Sequence, residues 1–154
     1  MAINKGKLHE SDIQGTLIDY TSSLLSYLSK FGIETSSNEF KYNLILDDKR
    51  IAYKHDIDTS NGRYFFKEYE KYYIPHADSP GVYLFFDNAG EAVYVGKSDN
   101  EIGNAAWRHI KPILEFKEAE YMISIPFEGF PFIAASYEYF LLSKYEFNNN
   151  IQHN

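Results

Sequence analysis

Cysteine is absent from the 154 residues, which excludes a disulfide framework and any thiolate zinc site. No apolar run approaches the ~20 residues that a membrane helix needs. The start, Met1-Ala2-Ile3-Asn4-Lys5-Gly6-Lys7, is not followed by the apolar segment of a signal peptide. The expectation is a soluble, intracellular (cytoplasmic) protein with no membrane partner. Cations are scarce as well. The formal charge is −7, and the deficit lies in one half. Residues 1–75 hold 10 Lys/Arg against 11 Asp/Glu, whereas residues 76–154 hold 5 against 11. That balance argues against a generic nucleic-acid binder, which needs a broad basic surface. Internal repeats and low-complexity tracts are also missing.

What is present suits one domain, or a small domain with an accessory element. The hydrophobic content of 44% allows a real core. Ile13, Leu17, Ile18, Leu24, Leu25, Leu28 and Phe31 recur at helical spacing, with Ser11 placed to cap the start and Gly32 after the end. A helix is expected over about 12–31. Residues 39–46 and 49–54 flank Asp47-Asp48 and read as a hairpin. Phe65, Phe66, Tyr69, Tyr72 and Tyr73 then repeat as a short helix would. Residues 1–75 therefore read as an accessory region containing helix, hairpin and helix. Its first helix needs a partner for its apolar stripe: the second half, a homodimer or another protein.

Pro75 and Pro80 bracket the link to residues 76–154. There the reading is α+β: strands over about 81–86 and 92–97, a helix from near Asn104 to Phe116, a strand over 121–126 and a helix over about 132–146. Pro112 is tolerated in the first helix only at a kink or break. The polar turn Asp87-Asn88-Ala89-Gly90 joins the first two strands. If the turn closes an even-numbered hairpin, Tyr83 faces Tyr94 across the strands and both phenols leave the same side. A type I turn with Gly90 as a bulge instead shifts the register by one and parts them.

Gly81-Val82-Tyr83, then Tyr94-Val95-Gly96-Lys97-Ser98, then Arg108, Glu138 and Asn150 form an ordered set. It resembles the GIY-YIG nuclease domain over roughly 81–151. The resemblance implies a small three-stranded antiparallel sheet flanked by helices, and it favours the even register. It further implies a metal-dependent endonuclease that hydrolyses phosphodiester bonds in nucleic acid, DNA in the first instance, with one Mg²⁺ or Mn²⁺. Tyr83 then assists the attacking water, with Tyr94 beside it. Arg108 binds phosphate oxygens and stabilises charge on the pentacoordinate phosphorus. Glu138 holds the metal.

Each residue also has a plainer reading. Tyr83 and Tyr94 are two of 14 tyrosines and fit any sheet. Gly81 and Gly96 relieve crowding at strand ends, or let backbone or substrate approach closely. Arg108 is the only arginine in residues 76–154, and a helix arginine is ordinarily solvated. Lys97 is a surface lysine or a substrate contact. His109 is a possible base, yet adjacent helix residues diverge by ~100°. Pro112 occupies the place where many family members carry His or Tyr. Glu138 sits among aromatic and aliphatic residues, where a carboxylate is costly unless paired or metal-bound. Asn150 serves the site or merely caps a turn. The rival to an enzyme is a binding or interaction module that kept the fold. The acidic balance and Pro112 favour that rival, and the intact Tyr, Tyr, Arg, Glu, Asn set opposes it.

Overall fold

The computed structural model describes residues 5–32, 64–65, 76–110, 115–127 and 131–153. A 3₁₀ turn, Glu10–Asp12, leads into α1, Ile13–Lys30. The strands are β1, Tyr64–Phe65; β2, Gly81–Phe86; β3, Ala92–Ser98; and β4, Tyr121–Pro126. Helix α2 spans Ile102–Ile110 and α3 spans Pro131–Lys144; a final 3₁₀ turn covers Asn148–His153. The sheet is antiparallel, in the order β1-β4-β2-β3. Its body is the three long strands, as the α+β reading expected. The expected hairpin at 39–54 lies outside the described residues. So does the helix after Phe65, but Phe65 itself pairs with Tyr121 in the sheet. Its aromatic and apolar neighbours suit a strand as well as a helix, and periodicity does not separate the two over so few residues.

Local chemistry bears on the element ends. α2 is described as far as Ile110, and the 111–114 part of the expected helix lies outside the described residues. α3 is described from Pro131, a residue whose missing N–H is tolerated in a first helical turn. The cap of α1 differs from expectation. Ser11 lies inside the 3₁₀ turn, whose cap is His9. Asp12 holds the N-cap position of α1 without a side-chain bond. Gly32 closes the far end at φ 74°, a left-handed conformation suited to glycine.

Both faces of the sheet are covered, so β2, β4 and most of β3 are buried throughout. One face sets Val82, Leu84, Phe86, Ala92, Val95, Ile123 and Ile125 against α1 and α3, which contribute Ile13, Leu17, Tyr20, Ile133, Tyr137 and Leu141. The other sets Tyr83, Phe85, Val93, Tyr94 and Met122 against Ile102, Ala105, Ala106 and Ile110 of α2. Polar bonds fasten α1 to α3: Tyr20 donates to Ser136 at 2.8 Å, and Thr16 Oγ1 lies 2.6 Å from the Tyr137 hydroxyl. The chain ahead of α1 is tied in too. Ala92 N–H donates to Leu8 C=O, and Glu146 N–H to Gly6 C=O. Residues 5–32 thus share one core with the sheet.

The hairpin register corrects the expected pairing. Tyr83 lies opposite Gly96, and Tyr94 opposite Phe85. Two one-residue shifts produce this. Gly90, at φ 82°, makes the turn a three-residue loop, with Gly90 N–H donating to Asp87 C=O and Asp87 N–H to Glu91 C=O. Val93 is then a second extra residue, because Phe86 pairs with Ala92 and Phe85 with Tyr94. One shift alone would move Tyr94 to the other face. Two shifts restore the parity and leave the tyrosines diagonal neighbours on one face, with ring centroids 6.2 Å apart.

Candidate functional site

A cleft of about 540 Å³ opens beside the β3 edge, lined by Tyr83, Tyr94, Gly96, Lys97, Arg108, His109, Glu115, Glu138, Leu142 and Asn150. Every site residue singled out in the sequence except Gly81 lines it. They arrive from β2, β3, α2, α3 and the last 3₁₀ turn.

Gly96 makes the cleft possible. A Cβ at this position would lie 2.5 Å from the Tyr83 ring carbon and hydroxyl, well inside contact distance. Glycine lets the Tyr83 side chain lie across β3 and reach the cleft. Gly81 does the same for backbone, since a Cβ there would meet the Ile125 carbonyl oxygen at 2.2 Å. The bulge at Val93 sets Tyr94 against an aromatic group: its ring stacks on Phe116 at 4.5 Å and lies 4.8 Å from His109.

Burial pushes the Tyr83 hydroxyl far above its ordinary range; the neighbouring Tyr94 adds to this, and Arg108 opposes it. Tyr94 is raised as well, first by burial and then by the Glu138 carboxylate. Both phenols are therefore neutral at physiological pH.

Asn150 does more than cap a turn. Its Oδ1 accepts from Val95 N–H and its Nδ2 donates to Val95 C=O, each at 3.0 Å. Among the described residues β3 is an edge strand, and Val95 has no strand neighbour on that side. The buried amide stands in for one. The clamp holds the backbone between Tyr94 and Gly96, making Asn150 a positioning residue.

Arg108 is exposed along the cleft. Lys97 pairs with both oxygens of Asp99 at 3.1 Å. His109 reaches the cleft from the position next to Arg108. The ~100° divergence is bridged by the length of the arginine, while the shorter imidazole packs on Tyr94. Two lining residues were not expected from sequence. Leu142 stands one turn after Glu138, so helical spacing could have found it. Glu115 lies beyond Pro112, where no periodicity reaches.

The formal charges of the lining residues balance, Lys97 and Arg108 against Glu115 and Glu138. Among the described residues no three His, Asp or Glu side chains converge as a metal cage. Two carboxylates line the cleft, Glu115 and Glu138, and Glu138 is the one that the ordered sequence set assigns to a cation. A single carboxylate fits Mg²⁺, which keeps several waters and takes one or two carboxylates plus substrate phosphate. Among the described residues no helix is long and apolar enough to cross a membrane. Comparison with protein-family models, curated proteins and solved structures finds no match to this chain.

Proposed function

We propose that the chain is a GIY-YIG-type endonuclease, a phosphodiester hydrolase acting on nucleic acid, DNA in the first instance, with Mg²⁺ or Mn²⁺. The observation that carries this reading is the convergence of Tyr83, Tyr94, Arg108 and Glu138, from four separate elements, on one cleft. A divalent ion held by Glu138 supplies Lewis acidity toward a phosphate oxygen when bound. Arg108 pairs its planar fork with non-bridging oxygens and stabilises the charge that builds on them. Tyr83 and Tyr94, both neutral, orient water and phosphate by hydrogen bonds. The test is nicking of supercoiled plasmid with and without Mg²⁺. Glu138→Gln keeps the volume, removes the charge and is expected to abolish cleavage. Equal cleavage by wild type and Glu138→Gln would sink the metal assignment.

A second reading, a binding module without catalysis, is favoured by the balanced charge of the cleft and the chain's −7. Few phosphates can then be neutralised, so random duplex DNA should bind weakly at physiological salt. A wild-type protein that cuts neither DNA nor RNA with Mg²⁺ or Mn²⁺ selects this reading.

A further inference from the structure

His109 and Glu115 are held together at two points. The Glu115 N–H donates to the His109 carbonyl at 2.7 Å, and His109 Nδ1 lies 2.9 Å from Glu115 Oε1. The backbone bond helps bring the carboxylate to the Nδ1 edge of the ring. A carboxylate only accepts, so this contact places the proton of a neutral imidazole on Nδ1 and the lone pair on Nε2. Among the described residues no hydrogen bond engages Nε2. The ring is held by Tyr94 at 4.8 Å, Phe116 at 5.1 Å and Tyr83 at 6.2 Å. It lines the same cleft as Arg108 and Glu138.

The two cleft tyrosines are poor proton acceptors while neutral. An oriented imidazole beside them is a good one near pH 7. We infer that the His109–Glu115 pair is the proton acceptor of the site, with Glu115 setting the tautomer and His109 Nε2 as the base. This rests on the phosphodiesterase reading above. In the step, water gives one proton to Nε2 as its oxygen bonds to phosphorus. The opposite P–O ester bond breaks, and the leaving oxygen takes a proton from solvent. The imidazolium then returns its proton to solvent. The products are a phosphomonoester and an alcohol.

Among the described residues, the ionisable groups around His109 are Glu115, Tyr83 and Tyr94 against the ring and Arg108 beside it. Lys97 and Glu138 line the rest of the cleft. Protonated His109 is no base, so the single-turnover rate should rise with pH through an acid limb. Glu115→Gln keeps an acceptor for Nδ1–H, but its amide can also donate, so the tautomer is held less firmly and the rate should fall. His109→Gln should lose the limb and about 10²-fold or more in rate.

The experiment measures plasmid cleavage against pH with Mg²⁺ for wild type, His109→Gln, His109→Ala and Glu115→Gln. Thermal melts check folding, and ¹⁵N NMR of the imidazole reads the tautomer without substrate. Rescue of His109→Ala by added imidazole is expected, and a merely structural histidine would not show it. Full activity of folded His109→Gln at every pH overturns the base assignment alone. An Nε2-protonated tautomer in wild type overturns the role of Glu115. A wild-type protein that cuts nothing overturns the reading beneath both.

Discussion

The Tyr83 side chain crosses the edge strand over Gly96, and the absent Cβ is what admits it. Gly96→Ala must displace the phenol, because the tyrosine is buried and its ring has little room to yield. The added methyl should cost about 1–3 kcal/mol of stability, as overpacking does. If the site is catalytic, a displacement near 1 Å should cost about 10²-fold in rate. Chemical denaturation and cleavage kinetics measure the two effects. A variant with wild-type stability and rate would show that Tyr83 does not depend on this gap.

Asn150 gives a contrasting prediction. Asn150→Leu has similar volume but leaves Val95 N–H and C=O without partners on the strand edge. The loss should be about 1–3 kcal/mol. Hydrogen exchange at Val95 should accelerate more than at Leu84 on the neighbouring strand. Unchanged protection at Val95 would remove the clamp from the account.

Alkaline stability follows from the buried phenols. Tyr20, Tyr83, Tyr94 and Tyr137 are all raised, with burial the largest cause in each. Below the ordinary tyrosine value of ~10, folded and unfolded states both hold these protons. Above it the unfolded chain releases them while the folded chain keeps them, so stability falls with rising pH. The melting temperature should drop above about pH 10. Part of the phenolate absorbance should appear only on unfolding. Full ionisation of all 14 tyrosines in the folded protein would contradict this.

The N-terminal segment is integral to the core. Leu8 and Leu17 are fully buried among sheet residues. Leu17→Ala should cost about 2–5 kcal/mol, the usual range for such a cavity. Limited proteolysis should not release an intact, folded 76–154 fragment. Rapid release of one would place the stability elsewhere.

The sequence by itself determined the elements of the second half and the cast of the cleft. Strands 81–86 and 121–126 and the last helix follow from apolar patterning and proline placement. Tyr83, Tyr94, Arg108 and Glu138 were picked out by the resemblance that their order carries, and they line one cleft. What only the tertiary structure decided depends on register and on contacts between distant segments. The Val93 bulge has no residue signature, because valine suits any strand position, yet it sets which residue Tyr83 meets. Asn150 looked like a turn residue or a site residue; its work is visible only once β3 is known to be an edge strand. Glu115 carried no periodic signal, and it gained meaning only when the fold brought its carboxylate to His109 Nδ1. Short-range pattern reports which way a side chain faces on its own element. What it then touches is set by how the elements pack.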